Sequence, residues 1–231
     1  MCAAGSSAIA FSGAKVAIVV GLFAVLTTPE PAVTALCAGR ALAACGEVGG
    51  RFSLIVMLRA IVGVPLIIAW RRLTPVPVAL IGRTAQRDGD PAKRSGALGV
   101  IGSPLVAWCA VCVLVQGLLP QSTFAREVYD SAEPMWLLWV AVLVAAPFFE
   151  ELLFRGVLLD CIARWSRPLA AVLTALLWVA MHGQYSAFEA GVLFLLGLFL
   201  AWLRFAYGSL AAPVVAHSIW NFAALVVLLA G

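Results

Sequence analysis

Two adjacent glutamates and an arginine interrupt an apolar stretch of this chain. Residues 148–156 read Phe-Phe-Glu-Glu-Leu-Leu-Phe-Arg-Gly. A charge at the centre of a membrane helix costs roughly 2.5–3.5 kcal/mol, so such groups usually face a bundle interior and are functional candidates. On a helix, Glu151 and Arg155 share a face, whereas Glu150 points about 100° away from Glu151. We therefore predict that Arg155 neutralises Glu151 and that Glu150 is the carboxylate available for chemistry.

The other groups able to handle protons lie on later apolar segments. The chain has two histidines, His182 and His217. Trp178 and His182 are four residues apart, as are His217 and Asn221, so each pair shares one helix face. Together with the glutamates, these side chains predict one shared polar site contributed by three helices. The structural alternative is that the ion pair joins helices and each histidine packs against a backbone carbonyl.

The composition is that of a membrane protein. Of 231 residues, 64% are hydrophobic and 11% are charged, whereas about a quarter are charged in soluble domains. A helix needs about 20 apolar residues to cross the hydrocarbon. We predict an all-α, polytopic transmembrane helix bundle of about seven spans, with a range of six to eight. The net charge of +4 is assigned to membrane topology, and no nucleic-acid partner is expected.

The apolar segments place the spans at about residues 8–26, 52–70, 97–119, 135–159, 168–182, 188–203 and 210–229. Residues 32–50 remain open as a loop, an interfacial helix or an eighth span. Residues 71–94 are rich in arginine and are predicted to be cytoplasmic, whereas the acidic segment 120–134 is predicted to be extracytoplasmic. Within one integral membrane domain, we separate N-terminal helices with the basic loop (1–134) from a catalytic helical core (135–231). The site is expected in the cytoplasmic half of the membrane.

The cysteines and one further arginine have simpler interpretations. Cys109 and Cys112 form a CxxC pattern inside an apolar segment without a second pair, which favours packing cysteines. Cys37 and Cys45 can pair if their loop is extracytoplasmic. Arg59 interrupts the second span, and packing against a partner or snorkelling of its long side chain accounts for it.

The order of the polar motifs resembles the CPBP family, the CAAX-processing and bacteriocin-processing glutamic intramembrane endopeptidases. Glu-Glu-x-x-x-Arg at 150–155, aromatic-x-x-x-His at 178–182 and His-x-x-x-Asn at 217–221 follow one another on successive apolar spans. The resemblance covers roughly residues 147–222. Trp178 stands where the family usually has Phe, and this departure concerns the shape of the pocket more than its chemistry.

The resemblance implies hydrolysis of a peptide bond by an activated water. Carried over, Glu150 is the general base and His182 helps it to hold the water, while His217 and Asn221 donate hydrogen bonds to the oxyanion. The supporting residues are Glu151, Arg155 and Trp178. No cofactor or metal is implied. The expected setting is a multi-pass protein of a bacterial inner membrane, with the bilayer and a membrane-associated protein or peptide substrate as partners.

Other functions remain open. A zinc-dependent membrane protease is one, although the chain has no His-Glu-x-x-His motif and only two histidines. A non-catalytic immunity or assembly factor that keeps the motif for folding is another. A proton-coupled transporter is a third, although no internal repeat is apparent. The substrate also remains open among prenylated C-termini, leader peptides and C-terminal membrane-anchor sorting signals.

Overall fold

The computed structural model describes residues 29–38, 43–73, 96–120 and 122–230, and this part of the chain is helical and contains no strand. This part also contains a 3-10 turn at Ala43–Cys45 and two π-helical turns, Ala141–Ala145 and Phe154–Leu158. The helices described are α1 Pro29–Cys37, α2 Val48–Leu73, α3 Gly96–Leu118, α4 Thr123–Asp130, α5 Met135–Ile162, α6 Arg167–Ala180, α7 Ala187–Tyr207 and α8 Ala211–Ala230.

Four of the described helices are long and apolar enough to cross a membrane. They are Val48–Trp70 within α2, and α5, α7 and α8. A fifth span results if Ala107–Leu118 and α4, which meet at 103°, count as one bent segment. The all-α membrane class is therefore confirmed, and the chain is an integral membrane protein. The predicted total of about seven spans is not confirmed, and the predicted span at 8–26 lies outside the described residues.

The span predicted at 168–182 is a shorter helix than a bilayer requires. α6 contains 14 residues, or about 21 Å, against a hydrocarbon thickness of about 30 Å. It begins after Ser166, whose hydroxyl accepts a hydrogen bond from the Leu169 N–H at 3.4 Å. It packs along α7, and its Trp178 ring meets the His217 ring of α8 edge-on at 5.3 Å. Hydropathy alone overestimated the length of this helix because the apolar sequence continues into the turn after it.

Local signals fix both ends of α7. Ser186 and Glu189 form a reciprocal capping box, in which each side chain accepts a hydrogen bond from the other residue's backbone N–H. Gly208 ends the helix in the left-handed conformation with φ 62°, which glycine adopts without steric cost. The turn that follows His182 is therefore held at a defined position by the start of α7.

The segment that the sequence left open, 32–50, forms no membrane-spanning helix in its described residues, 32–38 and 43–50. It holds the end of α1, the 3-10 turn and the first residues of α2. Cys37 and Cys45 form a disulfide with a Cα separation of 5.4 Å, a pairing that the sequence had left open. Arg51 in the first turns of α2 donates to Thr34 Oγ1 at 2.8 Å and ties α1 to the bundle.

The acidic segment 120–134 contains a helix that hydropathy did not predict. α4 is short and amphipathic, and the Ser122 hydroxyl caps its first turn by accepting from the Ala125 N–H. Arg126 donates to the backbone carbonyl of Leu228 in the last turn of α8 at 2.8 Å. α4 therefore lies at the end of the bundle where α2 begins and α8 ends.

Gly49 marks the closest approach of α2 to α4. Its N–H donates to Ser131 Oγ at 3.0 Å, and a Cβ at this position would overlap the Val128 carbonyl oxygen. Gly49→Ala is expected to lower the free energy of unfolding by about 1–3 kcal/mol because backbone must move. Thermal unfolding in detergent measures the change.

Gly191→Ala in α7 is the matched control for Gly49→Ala. No atom lies within 4 Å of a Cβ built at Gly191, so this replacement is expected to be neutral or to stabilise by about 0.5–1 kcal/mol. Equal melting temperatures for the two variants would contradict the proposed close contact between α2 and α4.

Candidate active site

Glu151 is the centre of a fully buried ion cluster. Its Oε1 accepts hydrogen bonds from Arg155 Nη1 at 3.0 Å and from His217 Nδ1 at 2.9 Å. Arg155 is buried as completely as Glu151; its Nη2 donates to the Gly197 carbonyl at 3.0 Å, and its guanidinium lies 5.0 Å from the Trp178 ring centroid. The cluster joins α5, α6, α7 and α8. Helical spacing predicted the contact with Arg155, but not the one with His217.

Glu150 points away from this cluster and into a cavity. Its Oε2 accepts a hydrogen bond from the indole Nε1 of Trp178 at 2.6 Å. A hydrogen bond to a charged acceptor is about twice as strong as a neutral one. The bond therefore fixes the orientation of the carboxylate, and it was not predicted.

His182 lies in the turn after α6, beside Glu150's partner Trp178. Its Nδ1 is 2.8 Å from the Trp178 carbonyl oxygen. Because a carbonyl only accepts, we assign the proton to Nδ1, and Nε2 then presents a lone pair. The His182 ring meets Trp178 edge-on at 5.0 Å and stacks on Tyr185 at 6.1 Å. The ring is thus held on two sides and by one hydrogen bond.

His217 and Asn221 are each held by a hydrogen bond on one side. Because His217 Nδ1 donates to a carboxylate, its Nε2 is an acceptor in the neutral ring and a donor only in the imidazolium. Asn221 Nδ2 donates to the Val142 carbonyl at 2.7 Å, within the first π turn of α5. An amide NH₂ group carries two hydrogens, so Asn221 retains a second donor. Neither contact was predicted.

A cavity of about 610 Å³ brings the four predicted reacting groups together. Glu150, His182, His217 and Asn221 all line it, although they lie on two helices and one turn. Arg59 of α2 lines it too, which the sequence had attributed to packing or snorkelling. The four polar side chains therefore share one cavity, and their joint role in one active site is a proposal.

The cavity extends from the middle of the bundle to one of its ends. Glu150 lies fifteen residues after Met135 and twelve before Ile162, near the centre of α5. From there the lining reaches Val48, the first residue of α2, and Leu228 in the last turn of α8. The expected position of the site in the cytoplasmic half of the membrane stays a prediction.

Tyr185 lines the cavity beside His182. Its ring also meets Phe124 of α4 edge-on at 6.1 Å. Burial, together with the nearby carboxylates of Glu189 and Glu150, raises the pKa of Tyr185 to about 12. The phenol therefore stays protonated at neutral pH and is a hydrogen-bond donor.

Comparison with known proteins identifies the part of the chain that carries these residues. Residues 132–223 match the family model described as type II CAAX prenyl endopeptidase Rce1-like. This segment is Rce1-like. It contains the second half of the described fold from just before α5 into α8, whereas α1 to α4 lie outside the match. Arg59 and the α4 wall of the cavity therefore lie outside the matched segment.

A curated relative extends the comparison. An Escherichia coli protein named as an uncharacterized 24.3 kDa protein is 34% identical over 125 residues, which cover 51% of this chain and 58% of the relative. The chain thus spans less than two thirds of that relative's length. No solved structure matches the chain.

The cysteines and the acidic groups offer no assembled metal site in the described part of the chain. No group of three or more His, Cys, Asp or Glu side chains there is placed to hold a metal ion. Cys109 and Cys112 are free thiols, and Cys112 is buried in the main core, in agreement with the predicted packing role.

Glu151→Gln is expected to lower the free energy of unfolding by about 3–5 kcal/mol. The reason is that Arg155 stays buried after its carboxylate partner has been removed. Asp130→Asn is the control, because its pair with Arg126 is exposed and 3.8 Å long, and such pairs contribute less than about 1 kcal/mol. Both variants are compared by thermal unfolding in one detergent. If Glu151→Gln lowers the melting temperature as little as Asp130→Asn does, the cluster is not required for stability.

Proposed function

We propose that this chain is an intramembrane endopeptidase that hydrolyses a peptide bond with a water activated by Glu150. The observation that carries the proposal is the meeting of Glu150, His182, His217 and Asn221 in one cavity. The Rce1-like match over residues 132–223 supports the same reaction class.

Two acceptors are available to activate the water. Trp178 fixes the Glu150 carboxylate, and the Nδ1–H bond of His182 leaves its Nε2 lone pair for a second contact. A water that donates one hydrogen to each acceptor has an oxygen lone pair directed away from both, toward a substrate carbonyl. As the bond to carbon forms, Glu150 takes the proton and later delivers it to the leaving amine.

In this scheme Asn221 and His217 supply donors for the oxyanion. The second N–H of Asn221 is available in every protonation state of the site. His217 donates through Nε2 when its ring is charged. Fixed donors of this kind, aimed at developing charge, each contribute about 2.7–4 kcal/mol to transition-state stabilisation.

Glu151 and Arg155 have a supporting role in this scheme. Arg155 offsets the buried charge of Glu151, and Glu151 in turn orients the His217 ring. An aspartate beside a catalytic histidine does the same in serine proteases. Trp178 positions Glu150 through its indole N–H and supports Arg155 through its ring face.

Glu150→Gln is expected to abolish cleavage while keeping the thermal stability, because it preserves the side-chain volume and removes the base. Membranes of cells that produce either form are compared by labelling of new protein N-termini. Glu127→Gln, an exposed carboxylate on α4, is the control. N-termini that appear with the native chain and with Glu127→Gln, but not with Glu150→Gln, identify the substrates. An unchanged set in Glu150→Gln would favour a non-catalytic immunity or assembly role.

A cleavage assay also tests the alternative of a zinc-dependent membrane protease. Cleavage by the purified chain is expected to continue in the presence of chelators, since Glu150 activates the water without a metal in this scheme. Loss of cleavage on chelation, with recovery on adding zinc alone, would support a zinc-dependent protease instead.

Trp178→Phe is expected to lower kcat by about 10- to 100-fold with little change in KM. Phenylalanine keeps an aromatic ring but cannot donate to Glu150, and a hydrogen bond to a charged group contributes about 1.5–3 kcal/mol. A peptide that spans a cleavage site found by N-terminal labelling serves as the substrate. Trp202→Phe, at an exposed position on α7, is the control. An unchanged kcat in Trp178→Phe would remove the positioning role from Trp178.

A further inference from the structure

We propose that the substrate enters the cavity from the extracytoplasmic side of the membrane. The proposal rests on the proposed endopeptidase function and names its substrate class. The substrates are membrane-anchored proteins or peptides whose scissile segment is exposed on the extracytoplasmic face, such as a leader or an anchor segment that leaves the bilayer there.

The walls of the cavity indicate its direction. Beyond the reacting groups, its lining comes from the end of the bundle at which α2 begins, α3 and α8 end, and α4 lies. These outer lining residues include Val48, Arg51, Pro120, Ala125, Val227 and Leu228. We call this end the mouth. A segment that reaches Glu150 through the cavity must therefore pass between α2, α4 and α8.

The opposite end of the bundle is closed by packed side chains in the part of the chain that the structure describes. Arg204, near the end of α7, donates to Asp160 at 2.9 Å and to the Arg155 carbonyl at 3.3 Å. Arg167 lies over the Phe205 ring, with 5.5 Å between its Cζ and the ring centroid. None of these five residues lines the cavity. Hence the described structure offers no route to Glu150 at that end.

The charges assign a side of the membrane to each end. α2 ends with Leu73 at the closed end, and the sequence 71–94 contains six basic and two acidic residues. Arg164, Arg167 and Arg204 are at that end as well. Basic segments of this kind stay in the cytoplasm. At the mouth, residues 122–134 contain three acidic residues and one basic residue.

The disulfide supports the same assignment independently of charge. Cys37 and Cys45 are bonded in the segment that precedes α2, next to the mouth. Disulfides persist in oxidising compartments and are rare in the cytoplasm. The amphipathic helix α4 crosses the direction of α3 at 103°, as expected for a helix that lies in the membrane interface. The mouth therefore opens at an extracytoplasmic surface.

Cysteine labelling tests the side of access without any need for cleavage. The full chain carries one added cysteine in a form in which every free cysteine is replaced and the Cys37–Cys45 disulfide is kept. Gln184→Cys reports on the cavity, because Gln184 is exposed and lines it. Trp165→Cys is the control at the closed end, since Trp165 is 82% exposed there. A membrane-impermeant maleimide is added to intact spheroplasts and to inverted vesicles.

The proposal predicts labelling of the Gln184→Cys variant in spheroplasts only and of Trp165→Cys in inverted vesicles only. Labelling of Gln184→Cys in inverted vesicles, in both preparations or in neither would overturn it. The Glu150→Gln variant separates the two proposals when it is tested both by cysteine labelling and by the labelling of new protein N-termini. If Gln184→Cys is labelled from the extracytoplasmic side but Glu150→Gln leaves the set of N-termini unchanged, the route is retained and hydrolysis by Glu150 is rejected.

Discussion

The buried contact between Glu151 and Arg155 is the interaction on which the rest of the bundle depends. Both side chains are removed from solvent, and two isolated charges would be very costly in that setting. Their attraction offsets this cost only because further partners complete it: His217 on the carboxylate, the Gly197 carbonyl on the guanidinium and the face of the Trp178 ring. Each of these partners comes from a different helix. Charge neutralisation therefore determines how α5, α6, α7 and α8 are positioned around the cavity.

This arrangement gives the neighbouring carboxylates of Glu150 and Glu151 different roles. Glu151 is committed to the ion cluster, whereas Glu150 faces the cavity and has a neutral N–H donor from Trp178. Adjacent residues on a helix point about 100° apart, which is enough to put one in a closed interior and the other at a wall. A histidine, His217, connects the two environments, since its Nδ1 contacts Glu151 and its ring lines the cavity.

The sequence predicted the features that depend on local spacing or on hydropathy. The helical membrane class, the contact of Glu151 with Arg155 and the joint location of the four polar residues are of this kind. The contacts of His217 with Glu151, of Trp178 with Glu150 and of Asn221 with Val142 join residues 66, 28 and 79 positions apart. They depend on how helices pack, which no single segment determines. The start of α7 could have been predicted from the sequence, because Ser186 and Glu189 have the spacing of a capping box.

Hydropathy predicted the wrong helix length where an apolar segment does not cross the whole bilayer. The run from 168 to 182 is apolar enough for a span, yet α6 ends at Ala180. The division at residues 134 and 135 into two parts stays a prediction. It follows the limit of the Rce1-like match closely, but the cavity draws its walls from both sides of that boundary.

The length of α6 also bears on how the chain enters the bilayer during synthesis. A helix of about 21 Å leaves its C-terminal carbonyls and the turn at 181–186 inside the hydrocarbon if it inserts alone. The turn becomes acceptable once α7 accompanies it and neighbouring helices enclose its polar backbone. We therefore expect α6 and α7 to leave the translocon as a hairpin, after α5 is in place. His182 then reaches its depth by being carried in at the tip of that hairpin.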